Sequence, residues 1–192
     1  MRKVMTVLLT GAIMMTLAVS VQASSHTTAP GESFIGLSIF NPVQYPDESF
    51  SIRGIRINAL YAVNEDLTGI DYGLIFPFNY LRGNMSGVQL GLYNEVGNKT
   101  TGLQWGLVNQ TKGDVSGVQL GLVNFSGAYH RGIQSGFYNQ ADHISGLQLG
   151  VLNQTRSLHG VQVGLLNLKE EVGPGMPHSM PMRGFPIVNW TF

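Results

Sequence analysis

One eight-residue phrase, repeated along the chain, constrains the fold more than any other feature of the sequence. Gly87-Val88-Gln89-Leu90-Gly91-Leu92-Tyr93-Asn94 is followed by versions of itself beginning at Gly102, Gly117, Gly132, Gly146 and Gly160, at steps of 15, 15, 15, 14 and 14 residues. Gln recurs at 89, 104, 119, 134, 148 and 162, and Asn at 94, 109, 124, 139, 153 and 167. Two weaker copies precede these, at Gly54 and Gly69, again 15 residues apart. A short fixed period of this kind marks an array of identical supersecondary units.

Each copy alternates with period two, which predicts a strand. In the copy at Gly117, one face carries Val118, Leu120, Leu122 and Asn124, and the other carries Val115, Gly117, Gln119, Gly121 and Val123. Helical spacing would mix Gln with Leu and leave no apolar stripe. Two glycines per copy would also weaken such a helix by about 2 kcal/mol. Between copies lie short polar segments with turn chemistry, such as Gln110–Asp114 and Gln140–His143. The unit therefore reads as a strand of about ten residues and a turn, with the repeating Asn at the junction.

Residues 1–23 read as a secretory signal peptide: Arg2 and Lys3, an apolar stretch from Val4 to Val19, and the small-x-small site Val21-Gln22-Ala23. Residues 24–192 then form a single β-repeat domain, with clear repeats over 85–168, a Met/Pro-rich loop over 169–182 and a terminal strand over 183–192. Of 11 basic and 11 acidic residues the signal takes Arg2 and Lys3, leaving 9 against 11. That balance offers no footprint for nucleic acid. There is no cysteine, so neither a disulfide framework nor a lipidation site after the signal. Charged residues make up 11% of the chain, against about 25% in ordinary soluble domains, which points to membrane, fibre or tightly stacked architecture.

The Gly-Φ-Gln-Φ-Gly-Φ-x-Asn copies from Gly87 to Asn167, with the ending Phe185-Pro186-Ile187-Val188-Asn189-Trp190, resemble an uncharacterised family of bacterial exported surface repeat-containing proteins. The resemblance implies an envelope or surface location, and it carries over no activity and no catalytic residues. The Gln-x-Gly-x-x-Asn core is also similar to the curli subunit repeat, but the Ala and further Gln that follow Asn there are missing here.

Two all-β folds are open to such a repeat. The first is an antiparallel β-meander of about ten strands (near 34–42, 51–63, 67–78, 85–94, 100–109, 115–124, 130–139, 144–153, 158–167 and 183–192) closed as an outer-membrane-type barrel. Val88, Leu90 and Leu92 would then face lipid, with Gly87, Gln89 and Gly91 inside. Even strand number, long connections only at 43–50 and 168–182, and the ending Trp190-Thr191-Phe192, which resembles the last strand of outer-membrane barrels, favour it. Against it, the apolar stripe spans about 20 Å where about 25 Å is needed, and Arg56, Asn58 and Ser135 interrupt the alternation. The alternative is a parallel β-solenoid with one coil per period and Gln and Asn stacked in ladders. The barrel is the leading expectation.

No catalytic constellation stands out. There is no Gly-x-Ser-x-Gly elbow, and the Gly-x-x-x-Gly spacings belong to the strand repeat. His26, His130, His143, His159 and His178 are scattered and read as solvated turn residues, and Asp71, Glu95, Asp114 and Asp142 as surface charge near strand ends. Tyr93, Trp105, Phe125, Tyr129 and Tyr138 suit an interfacial belt or packing between repeats. The Met/His segment 176–182 reads as an exposed loop, with a weak copper or silver site as the lesser alternative. No catalytic, cofactor or metal residue is assigned. The expectation is a non-enzymatic structural or surface protein of the outer membrane or cell surface, meeting lipid or envelope components, with no nucleic acid and no small-molecule substrate. The alternative is a secreted or periplasmic solenoid serving adhesion or assembly.

Overall fold

The computed structural model describes residues 31–75, 77–170 and 182–192. The expected signal peptide at 1–23 and nearly all of the Met/Pro-rich loop lie outside them. The described residues are all β-structure, and they form a parallel β-solenoid of about seven turns. The barrel expectation is thereby overturned in favour of the alternative.

Each coil has two strands. The longer ones are β1 (Glu32–Phe40), β3 (Ser51–Asn58), β5 (Leu67–Gly73), β7 (Met85–Leu90), β9 (Thr100–Trp105) and β11 (Val115–Leu120), stacked on one face. The shorter ones are β4 (Tyr61–Asn64), β6 (Phe78–Leu81), β8 (Tyr93–Val96) and β10 (Val108–Thr111), stacked on the other. From Val123 the chain winds on through the remaining coils as one continuous strand, β12 (Val123–Glu170), which pairs with β10 and with β11. Identical residues meet rung on rung: Gly117 pairs with Gly102 and Gly132, Gln119 with Gln104 and Gln134, Asn109 with Asn94 and Asn124. Backbone bonding carries on round the corner, as in Gly121 N to Ser135 O and Val123 N to Leu107 O.

What reads as one ten-residue strand is therefore two strands joined by a two-residue corner such as Gly121-Leu122. That corner inverts the alternation. Gln119 and Asn124 are five apart and would face opposite ways in a straight strand, yet both are fully buried inside the solenoid. The meander misassigned Asn124 because it ran the period straight through the corner. The step from Gly69 to Gly87 is 18 residues where the neighbouring steps are 15, and the pairing of β5 with β7 is unbroken.

Glycine is required where rungs approach most closely. A Cβ on Gly102 would stand 2.0 Å from the Gly87 carbonyl oxygen, and Gly102 has φ +126°. On Gly121 a Cβ would meet Gly106 O at 2.5 Å and the Asn109 amide nitrogen at 2.8 Å. Contacts this short exclude a side chain at either position, and at Gly102 the backbone conformation does so as well.

The ends are finished by antiparallel pieces. β2 (Val43–Tyr45) folds back on β1, and the Gln44 side chain acts as a surrogate peptide for β4, donating to Val63 O at 2.6 Å and accepting from Val63 N at 3.2 Å. β13 (Met182–Thr191) runs back along the last coil, from Glu170↔Met182 to Gly160↔Thr191. Trp190 and Phe192 thus belong to a cap on a solenoid and not to the closing strand of a barrel.

Candidate functional site

The interior is built from polar columns, an inversion of the usual arrangement. Along the longer face, each Gln amide donates to the Gln of the preceding coil: Gln162 to Gln148, Gln148 to Gln134, Gln134 to Gln119, Gln119 to Gln104 and Gln104 to Gln89, at 2.7 to 3.0 Å. Asn189 of the cap feeds the column at 2.8 Å. Along the shorter face, each Asn donates the opposite way, from Asn58 through Asn79, Asn94, Asn109, Asn124 and Asn139 to Asn153 and Asn167. The second amide hydrogen of most of these Asn residues goes to a corner carbonyl of the next coil, as in Asn124 to Ser135 O at 2.9 Å. The two ladders carry opposed amide dipoles, so their fields oppose one another inside the solenoid.

The Gln ladder ends on Asp71, which receives Gln89 Nε2 at 3.1 Å and Arg56 Nε at 2.9 Å. Arg56 and Asp71 are 1% and 0% exposed. This corrects the reading of Asp71 as surface charge, and of Arg56 and Asn58 as interruptions: they are the first rungs of the two ladders. The sequence signal was there, since Arg56 and Asp71 hold the Gln position of the two weak copies.

Apolar core lines only the side of the interior away from the corner glycines, as Ile52, Leu67, Leu81, Met85 and Val96 near one end and Ala141, Ile144 and Leu158 near the other. Between them buried Val115 stands among polar side chains, with Thr100 Oγ1 2.7 Å from Thr111 Oγ1 and Ser126 Oγ 3.0 Å from His130 Nδ1. His130, expected in a solvated turn, is fully buried, and burial pulls its pKa down to about 4. Its Nε2 and Asn58 Oδ1 are the buried side-chain atoms without a hydrogen-bond partner among the described residues. The Ser126–His130 pair is sealed from solvent, so no substrate reaches it. His143 stacks on Tyr129 at 4.5 Å between ring centres, and His159 is exposed. His26 and His178 lie outside the described residues, as does the Met/His segment apart from the backbone of Met182.

The exterior is divided lengthwise. At the corner between the longer and shorter strands stand Leu92, Leu107, Leu122, Phe137, Val151 and Leu165, with Phe137 60% and Leu165 73% exposed. On the opposite edge, where shorter strands lead back to longer ones, lie Lys112, Asp114, Asp142 and Arg156, with Arg156 Nη1 3.0 Å from Asp142 Oδ2. Of the aromatic residues, Trp105 is exposed beside the apolar corner, and Phe125 packs edge-on to Tyr138 at 5.7 Å. Tyr138 and Tyr93 donate their hydroxyls to side chains of their own and the next coil, Gln140 and Gln154 for Tyr138 and Glu95 and Gln110 for Tyr93. Burial pushes the Tyr138 hydroxyl up to about 12.

A small cleft of about 280 Å³ opens on the polar edge, lined by Glu32, Arg53, Asp66 and Asn84 among others. Its polar groups are already matched, Arg53 to Glu32 at 2.7 Å and Asp66 to the Asn84 side-chain amide at 3.1 Å. Among the described residues no cluster of three His, Cys, Asp or Glu has the geometry for a metal ion, and no helix is long and apolar enough to cross a membrane. Comparison with protein families, characterised proteins and solved structures gives no match.

Proposed function

We propose that the chain is an exported, non-enzymatic protein of the bacterial envelope, a β-solenoid that serves adhesion or assembly through its outer surface. The observation that carries this reading is the saturation of the interior. The Gln and Asn columns spend their hydrogen bonds on one another, so the groups left to meet a partner are outside. Capped ends point the same way. With β13 laid along the last coil and the β1–β2 hairpin on the first, lateral contact is favoured over end-to-end growth. The signal-peptide pattern and the resemblance to exported surface repeat proteins support the location.

Fractionation of the native host, followed by an alkaline wash of the envelope, tests the reading. The chain is expected in the periplasmic, secreted or washable envelope fraction, with unchanged gel mobility on boiling. Recovery from the cytoplasm with residues 1–23 intact would overturn it.

A further inference from the structure

We propose that the apolar corner is a membrane-insertion edge, seated in the headgroup–acyl boundary of a lipid bilayer with the charged edge in water. The proposal rests on the envelope reading for where lipid is met. Three observations carry it.

Charge is sorted by position within each coil. Stretches 103–110, 118–125, 133–140, 147–154 and 161–168, which pass round the corner, contain no Asp, Glu, Lys or Arg. In 88–95 the one charge is Glu95, at the far end of the short strand and paired with Lys112 at 2.9 Å. The intervening stretches hold Lys112, Asp114, Arg131, Asp142 and Arg156. A charge-free edge along the length of a body whose opposite edge is charged is the β counterpart of an interfacial amphipathic helix.

The apolar surface wraps the corner. Trp105, Leu120 and Leu149 continue it onto one face, and Val108, Val123 and Leu152 onto the other. On the long face a second apolar row follows, with Leu103, Val118 and Ile133, before the exterior turns polar at Ser116, Arg131 and Ser145. On the short face the next row holds Glu95, Gln110, Gln140 and Gln154, with Phe125 among them. These two polar rows draw a waterline on each side, with Tyr93 and Tyr138 just below it on the short face, where amphipathic rings settle at a bilayer surface, and Trp105 deeper, beside the corner.

The corner is convex, which selects the occupant. Eight rungs from Leu60 to Leu165 make a ridge about 34 Å long at rung spacing. Laid against a second ridge, a line one side chain wide covers roughly 200–300 Å² per copy, well below the about 800 Å² of a stable interface. A flat partner reaches one flank only. Acyl chains deform round both.

The test uses the purified exported chain with Trp190→Phe, which leaves Trp105 as its fluorophore because the chain has two tryptophans. Neutral phosphatidylcholine vesicles are the probe. Binding on flotation with a blue shift of Trp105 emission is expected, unchanged at high salt because the charges lie on the far edge. Leu107→Glu with Leu122→Glu should lower the bound fraction about tenfold or more, a buried leucine being worth at least that much in partitioning. Ser145→Glu, on the polar edge, should leave it unchanged. Circular dichroism identifies a charged variant that does not fold, in which case Leu107→Gln with Leu122→Gln gives the comparison. Absence of flotation by the folded parent overturns the proposal, as does equal loss in the corner and polar-edge variants. A blue shift that appears without vesicles and follows protein concentration assigns the edge to a second copy instead. A chain that sits in the envelope but does not float loses this proposal and keeps the envelope reading, and one that floats but stays in the cytoplasm does the reverse.

Discussion

Arg56 lies directly over Asp71, with Nε 2.9 Å from Oδ1 and Nη2 2.5 Å from Oδ2, and both side chains are sealed from solvent. A carboxylate accepts and cannot donate, whereas each Gln must do both. Asp71 therefore suits the one rung where both neighbours donate: Arg56 from one side and Gln89 from the other. The pair terminates the Gln ladder and sets its direction.

A double-mutant cycle tests that role. Asp71→Gln alone strands a buried guanidinium, and should destabilise by about 3–5 kcal/mol. Adding Arg56→Gln extends the ladder, with the new amide able to donate to Asn64 Oδ1, which now accepts from Arg56 Nη1 at 3.0 Å. The double variant should return to within about 1 kcal/mol of the parent in urea unfolding, because a satisfied neutral network can replace a buried ion pair at little cost. Additive losses would show that the pair does not set the ladder.

The same carboxylate chemistry should fail in mid-ladder. Gln119→Glu faces Gln104 Oε1, an acceptor 2.8 Å from the present donor. Destabilisation of about 2–4 kcal/mol at neutral pH is expected: one carboxylate oxygen keeps Gln134 and Ser126 as donors, but the other is buried against an acceptor. The introduced carboxyl has its folded pKa raised, so the loss relative to the parent should shrink as pH falls and the acid becomes a donor. Urea midpoints at two pH values read this.

His130 makes stability acid-sensitive. Its pKa falls from 6.5 to about 4 on folding, so the unfolded chain binds the proton more readily. The stabilisation is complete above pH 6.5 and is lost as pH falls towards 4, by roughly 3 kcal/mol in all. His130→Val, matching Val115 on the preceding rung, should flatten that part of the pH profile and raise stability at about pH 5. Ser126 keeps Gln119 Oε1 as a partner at 3.2 Å. An unchanged slope between the two pKa values would remove His130 as its source.

The glycine column should tolerate no side chain. Gly102→Ala places a methyl group 2.0 Å from a backbone oxygen at a φ that alanine rarely adopts, and should cost more than about 3 kcal/mol or abolish folding. Gly184→Ala, where the nearest atom is the flexible Leu166 Cδ1 at 3.0 Å, should stay within about 1 kcal/mol. Thermal melts of the two variants separate these outcomes.

Much of the site was legible and some of it was not. Gln and Gly spacing showed that equivalent positions recur, and the inward direction of Gln89 and outward direction of Leu90 hold in barrel and solenoid alike. Asp71, Arg56 and His130 were misplaced because each is a polar residue in a column whose neighbours are Gln, Val or Ile. Single-residue chemistry says surface, while the column says core.

By itself the sequence determined the β character, the coil length and which residues share a side within each short strand, because these follow from local backbone geometry with its period of two. It did not determine the direction of pairing or the side taken by Asn. Those depend on whether Gly-Leu bends the chain, and that bend holds only once the neighbouring coil supplies the carbonyl that Gly121 N needs and the amide acceptor that Asn109 needs. Tertiary stacking provides both at once, turning one apparent strand into two and a lipid-facing barrel wall into the outer edge of a solenoid.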